Sequence, residues 1–353
     1  MFIPGEYLWH NSGFDSITGG LIALARQAKI TALGTYLPPR ILTNADLEKM
    51  VDTSNEWILE RTGISTRYLV TPGMATSDMA IEAARAALAS RGLAAEELDM
   101  ILVASVTPDM LFPATACLVQ RALGSPHAWG FDLLGACCGF LYALTVGAQF
   151  VVAGSHKRVL VIGADTMSSI VDYTDRATCI LFGDGAGAVL VEPAEEGGEG
   201  IIDFYHEVDG AGADVLYMAA GGSRRPASEE TVRKKMHYVY QEGQQVFKFA
   251  VRKQYDVCKT LLDRHGLKGE DVQVMIAHQA NRRIITATSD RLGIPRERVI
   301  INIDRYGNTT AATIPLAMRT AMEEGKMKKG DLVLLCAVGA GFTAGAALVR
   351  WSL

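Results

Sequence analysis

Two stretches decide the fold: DMILVASVTP (99–108) and DVQVMIAHQA (271–280). Each opens on Asp, runs through a short apolar segment and ends where a helical pattern begins. Their first residues, Asp99 and Asp271, are 172 positions apart. FDLLGACCGF (131–140) and NIDRYGNTTAA (302–312) repeat that spacing, with Asp132 and Asp304 again 172 apart. GAGAVLVE (185–192) and TAGAALVR (343–350) close the two stretches alike. Short apolar runs of this kind read as strands of a largely buried sheet. The pairing predicts one α/β unit written twice, not a solenoid with a period of 20–50 residues.

Working outward, a first strand is predicted over 30–36, stopped by Pro38 and Pro39. Asn44 and Ser54 stand where helix N-caps belong, Gly63 closes the second helix, and Ser77 caps an alanine-rich helix to Ser90. Strands follow at 100–106, 129–134, 158–164 and 187–192, with helices over 114–123 and 138–153 between them. The polar, glycine-rich PAEEGGEG (193–200) is the boundary. Beyond it come strands at 201–208 and 214–219, a charged insertion near 223–237, and a helix over 244–265. Strands at 272–278, 299–303, 331–337 and 344–351 then alternate with helices over 282–292 and 309–324. The organisation is residues 1–28 as an N-terminal extension, a natural arm, a misassigned start or a cloning leftover, with a helix over 21–28, then halves at 29–192 and 201–353.

The chain has 353 residues, 49% hydrophobic and 21% charged, enough for a large core and incompatible with wholesale disorder. A net charge of −5 argues against a general nucleic-acid binder. No apolar run reaches 18 residues, so no membrane span is expected. The first ten residues contain Glu6 and no Lys or Arg, unlike a signal peptide, and a cytoplasmic protein is expected. Six cysteines at 117, 137, 138, 179, 258 and 336 form no disulfide framework and no zinc spacing.

Cys137 falls where a strand gives way to a helix. Helix N-terminal amides favour negative charge there, and such a site can lower a thiol pKa from about 8.5 to roughly 3.5–7.5. Cys137 is therefore a nucleophile candidate. Two packed small residues, or a vicinal disulfide, are the other readings of the pair. Of seven histidines, His278 stands out at the C-terminal end of a buried strand, the usual place for an active site in an α/β sheet. His10, His127, His156, His206, His237 and His265 fall in predicted loops, helix ends or the extension. Asn308 lies at the junction matching that of Cys137, where an N-cap is the competing reading. GDGAGA (183–188) fails the context test for a dinucleotide site, whereas GAGFTAG (339–345) follows a strand and could offer amides to an oxyanion.

FDLLGACCGF, HQAN, YGNTTAATIP and GAGFTAG, in this order, resemble the thiolase superfamily. Within it the chain is similar to the β-ketoacyl-[acyl-carrier-protein] synthase III family, from about Lys29 to Trp351, with SNEWILERTGI and TDRATCILFGDGAGA adding to the likeness. The resemblance implies a thiolase-like duplicated unit in a five-layered αβαβα sandwich, a homodimer, and no cofactor or metal. It implies an acyltransferase of fatty acid biosynthesis that takes acyl-CoA and malonyl-acyl carrier protein. By motif position it implies Cys137, His278 and Asn308 as the catalytic set, with an oxyanion hole at Cys137 and Ala340. It also implies coenzyme A contacts at Trp57, Arg61, Arg176 and Asn281, and Phe112 as the acyl-pocket gate across the dimer. Lys248 and Arg283 would dock the carrier protein. Where the family often has Gly-Gly-Gly-Phe, this chain reads Gly339-Ala340-Gly341-Phe342.

Rival chemistries are a thiolase, which needs a second cysteine in the glycine loop, and a hydroxymethylglutaryl-CoA synthase, which needs a glutamate base. The loop at 339–345 has no Cys, and Glu56 and Glu60 belong to the WILER helix. A condensing enzyme of secondary metabolism and an acyl-CoA hydrolase keep the same triad and stay open.

Overall fold

The computed structural model describes residues 27–195 and 197–353. The helix expected over 21–28 lies outside them except at its end, where Ala28 opens a strand instead.

The N-terminal half is built on a five-stranded sheet. Its order is Ala28–Tyr36, Gly185–Pro193, Val159–Asp165, Met100–Ala104, Trp129–Leu133. The last three run parallel, and Gly185–Pro193 is antiparallel to both its neighbours. The C-terminal sheet repeats the plan: Gly200–Val208, Thr343–Arg350, Leu332–Gly339, Val274–Ala277, with only the last pair parallel. The strand expected at 299–303 shrinks to one bridge, Met275 to Val299, and Ile303–Tyr306 is helical. Gln279 explains the loss. Its side-chain amide donates to Ile300 O (3.1 Å) and accepts from Asn302 N (3.1 Å), taking backbone groups that a ladder would use.

The repeat is real, but its offset is 174, not 172. Met100 pairs with Val159 as Val274 pairs with Val333, and Val274 and Val333 lie 174 positions after Met100 and Val159. The helices Gly139–Val152 and Thr313–Glu323 begin at the same spacing. At that offset Cys137 matches Ala311, so Asn308 is three residues from the equivalent position.

These two helices lie between the sheets, in a core to which both halves contribute, including Phe140, Leu144, Ile276, Ile314, Met318 and Trp351. Gly139–Val152 is apolar around most of its circumference, as a helix enclosed on all sides must be. Helices Thr76–Arg91 and Thr115–Leu123 cover the outer face of the first sheet, and Gly243–Arg264 and Arg282–Leu292 that of the second. The result is the five-layered αβαβα, thiolase-like sandwich.

Two caps differ from expectation. Thr43, not Asn44, caps its helix, because Asn44 is buried and donates to Asn55 Oδ1 and Ile64 O. The alanine-rich helix starts at Thr76 behind Ala75, with Asp78 returning to Ala75 N, while Ser77 donates to Asp109. Ser54 and Gly63 cap as predicted.

Candidate active site

The chain leaves the edge strand Trp129–Leu133, makes one 3₁₀ turn over Ala136–Cys138 and enters the central helix. Ala136 sits at φ +46°, a left-handed conformation unusual for a residue with a side chain. That turn presents Cys137 to a cleft, 8% exposed, while Cys138 is fully enclosed.

The second half repeats the turn. Thr310–Ala312 forms the matching 3₁₀ segment, with Thr310 at φ +48°. Asp165 holds it. This buried carboxylate ends strand Val159–Asp165 and accepts from Ser105 Oγ, Val106 N, Thr107 Oγ1, Ala311 N and Thr310 Oγ1, tying the halves together behind the site. Burial pushes its pKa up, against the pull of those donors. Thr310 N–H in turn donates to Asn308 Oδ1 (2.9 Å), which leaves the Asn308 NH₂ group for the cleft. The Asn308 backbone is clipped to Leu181 O and Gly183 N.

His278 follows strand Val274–Ala277. Its N–H donates to Cys336 O (2.7 Å), and its Nδ1 meets Thr313 Oγ1 at 2.7 Å. Burial lowers the ring pKa to about 3, so the imidazole is neutral at pH 7. Cys137, His278 and Asn308 line one cleft, with apolar walls that include Phe182, Phe247, Phe249 and Phe342.

The lowered thiol pKa expected for Cys137 is not found. Burial pushes it well above its ordinary value, and neighbouring Cys138 and Asp165 push the same way. With a neutral imidazole beside it, the resting pair is thiol and imidazole, not thiolate and imidazolium.

Gly339 explains how closely the glycine loop approaches. A Cβ there would stand 3.0 Å from Cys137 N and 2.9 Å from Thr343 Oγ1. Ala340 comes next in the loop. Phe342 N–H is engaged by Asp209 O and its ring stacks on Phe249 at 4.0 Å, so the far end of the loop is clamped.

The guanidiniums of Arg61 and Arg176 lie 5.6 and 5.1 Å from the Trp57 ring centroid, outside the residues that line the cleft. Asn281 lines the cleft, but its side chain already donates to Arg61 O and accepts from Arg283 N as a helix cap. Lys248 and Arg283 are exposed, and Arg283 lies over Phe247. Phe112 is not in the cleft; it is 83% exposed on a surface loop beside Leu111. His206 sits half-buried within strand Gly200–Val208, inside the strand predicted over 201–208.

Sequence reasoning missed Asp165, Thr310 and Thr313 as individual residues, although it had quoted the motif around the two threonines. Asp165 left a signal of its own, a charge at the end of the apolar run VLVIGAD. Among the described residues no group of three or more His, Cys, Asp or Glu is placed to hold a metal, and no helix is long and apolar enough to cross a membrane.

Residues 131–210 match the family model described as 3-oxoacyl-[acyl-carrier-protein (ACP)] synthase III, and residues 262–351 match the model of its C-terminal part. The β-ketoacyl-[acyl-carrier-protein] synthase III of Solibacter usitatus is 66% identical over 328 residues, covering 92% of this chain and 99% of that protein. The crystal structure of 3-oxoacyl-[acyl-carrier-protein] synthase III from Aquifex aeolicus is similar at a TM-score of 0.84 and 45% identity, over 92% of this chain and all of that one. The priming β-ketosynthase of the R1128 polyketide biosynthetic pathway aligns at a TM-score of 0.85 and 31% identity, over 95% and 99% of the two chains.

Proposed function

Because the chain belongs to the β-ketoacyl-[acyl-carrier-protein] synthase III family, we propose that it acylates Cys137 from acyl-CoA and condenses that acyl group with malonyl-acyl carrier protein. The observation that carries the reading is the convergence of Cys137, His278 and Asn308, from both halves, on one apolar cleft.

The chemistry follows from what each group offers. Cys137 sulfur attacks the thioester, and its proton ends on the departing coenzyme A sulfur. The tetrahedral oxyanion forms against the Cys137 amide and the loop amide of Ala340, each donor of this kind contributing roughly 10²–10³ in rate. Malonyl-carrier then enters. Loss of CO₂ leaves an enolate whose oxygen needs hydrogen-bond donors rather than a strong acid. The Asn308 NH₂ and His278 Nε2–H are suited to that, the neutral imidazole especially, since its low pKa keeps it from titrating during turnover. The carbanion attacks the acyl group, the Cys137 thiolate leaves and takes a proton from water, and a 3-oxoacyl-carrier is released. Two half-reactions through a covalent intermediate predict ping-pong kinetics.

Trp57, with its two guanidiniums, offers an aromatic face and positive charge to an adenine nucleotide. Lys248 and Arg283 give the mouth positive charge for an acidic carrier. Homodimerisation through the Trp129–Leu133 edge is supported by exposed Trp129, Leu134, Leu111 and Phe112. Phe112 would reach a partner's pocket only in such an assembly.

The deciding experiment offers acetyl-, branched- and longer acyl-CoAs with malonyl-acyl carrier protein and reads product mass. A 3-oxoacyl-carrier product and a radiolabelled acyl-enzyme lost in Cys137→Ala are expected. Free fatty acid alone would mean a hydrolase, and turnover only with another carrier would favour a priming role like that of the R1128 synthase.

A further inference from the structure

We propose that Lys235 is a positioning residue for coenzyme A: its ammonium group holds the turn at 172–175, and through it the Arg176 guanidinium that lies over Trp57. The inference rests on the coenzyme A reading of Trp57 and Arg176 above and deepens it, adding a residue from the charged segment 223–237.

Among the described residues, three other than glycine have a positive φ: Ala136, Thr310 and Lys235. The first two shape the turns beside Cys137 and Asn308. Lys235, at φ +55°, belongs to an exposed segment instead. It closes the short helix Glu229–Arg233: Lys235 N–H donates to Val232 O (2.9 Å) and Met236 N–H to Thr231 O (3.0 Å). A left-handed residue after a helix end is ordinarily glycine, which adopts that conformation without a steric penalty. The backbone gives no reason for a lysine there, so the reason is sought in its side chain.

Lys235 Nζ donates to Asp172 Oδ2 (2.8 Å) and Thr174 Oγ1 (2.6 Å). Asp172 is the enclosed member of the pair, its side chain 16% exposed against 53% for Lys235. The turn gripped in this way is tied within itself. Asp172 Oδ1 accepts from Thr174 N (2.9 Å) and Thr174 Oγ1 (2.7 Å), and Asp175 N–H donates to Asp172 O (2.9 Å). The Asp175 carboxylate then accepts from Ala177 N (2.9 Å) and Thr178 Oγ1 (2.7 Å). Arg176 stands inside this set of bonds, so a shift of the turn is a shift of Arg176. The guanidinium itself donates to Asp52 O (2.9 Å) as it lies over Trp57.

The charged segment also reaches the cleft. The paired strands Leu216–Met218 and Val239–Gln241 flank it, and Leu216 and Gln241 line the cleft with Cys137. Val239 N–H donates to Ile170 O (2.8 Å), two residues before Asp172. One hairpin therefore borders the cleft at its base and supports, through Lys235, the turn that carries Arg176.

The test measures acylation kinetics of the full-length protein with acetyl-CoA and with acetyl-pantetheine, which lacks the nucleotide. Lys235→Gly is expected to keep or raise the melting temperature, since glycine suits the left-handed position. It should raise the KM for acetyl-CoA about three- to fivefold and leave the KM for acetyl-pantetheine unchanged. Lys235→Met, which keeps the backbone demand and loses the charge, should raise it equally. Condensation kcat from pre-acylated enzyme should stay at the wild-type value in both. Arg176→Ala should raise the KM for acetyl-CoA by itself, and Lys235→Gly should add nothing in that background, because Lys235 acts through Arg176. A wild-type KM in Lys235→Gly overturns the proposal while Arg176→Ala, if it still raises the KM, keeps the coenzyme A reading. Fully additive effects of the two substitutions, or an equal rise for acetyl-pantetheine, overturn it as well. A wild-type KM in Arg176→Ala overturns both the proposal and the reading it rests on.

Discussion

Cys137 combines a helix N-terminus, which favours a thiolate, with enclosure that opposes it, and enclosure dominates. Its alkylation should therefore keep accelerating with pH. Iodoacetamide inactivation rates measured from pH 6 to 9 are expected to rise throughout, because the thiolate fraction grows over the whole range. A plateau near neutrality would show a thiolate already formed and remove this account of the resting state. The sequence made Cys137 and His278 legible as candidates because each stands where an apolar run stops, and Asn308 through the motif YGNTTAATIP around it. Asp165 and Thr313 act through atoms of residues more than 30 positions away, and such partners leave no local spacing to read.

At the scale of elements, apolar runs and caps located most strands and helices within a residue or two. One exception is the reduced strand at 299–303, where a side-chain amide from Gln279 takes the place of a partner strand; the paired strands Arg40–Thr43 and Thr66–Leu69 go unread in the sequence altogether. No hydropathy pattern announces that substitution. The helix Asn55–Thr62 carries Trp57 and Arg61, which gives the element its own prediction. Trp57→Ala should raise the KM for acyl-CoA about tenfold, since stacking of a base on an aromatic is worth about 1–3 kcal/mol. The carrier half-reaction, started from pre-acylated enzyme, should keep its kcat. On the long helix Gly243–Arg264, Lys248→Glu should do the reverse, raising KM for the carrier and leaving acylation untouched. An unchanged carrier KM would end the docking reading.

The whole molecule carries a pH signature. His278 and His206 have pKa values lowered by burial to about 3 and about 4. Below the ordinary value near 6.5, an unfolded chain takes up protons that these folded rings refuse. Their stability contribution is full above that value and falls away as pH drops toward 4 and 3, by at most about 1.4 kcal/mol per pH unit for each ring. Asp165, raised by burial, works with the opposite sign near the carboxylate range. Urea unfolding at pH 7 and pH 5 should show a smaller loss for His206→Gln than for wild type; equal losses would remove His206 from the account. The proposed dimer is checked by solution mass, with Phe112→Asp expected to weaken it and a monomeric wild type refuting it.

The second sheet has one more consequence. Its final strand, Thr343–Arg350, is an interior strand, lying between Leu332–Gly339 and Gly200–Val208. Of the sheet's four strands, the one that comes last in chain order thus joins the sheet's two sides. Until it arrives, the glycine loop at 339–342 has no return strand to hold it, and the clamp on Phe342 cannot form. Cys137 is translated long before, yet the glycine loop beside it gains its return strand only once residues 343–350 are made. Order of synthesis keeps the nascent thiol without that loop until this strand has emerged.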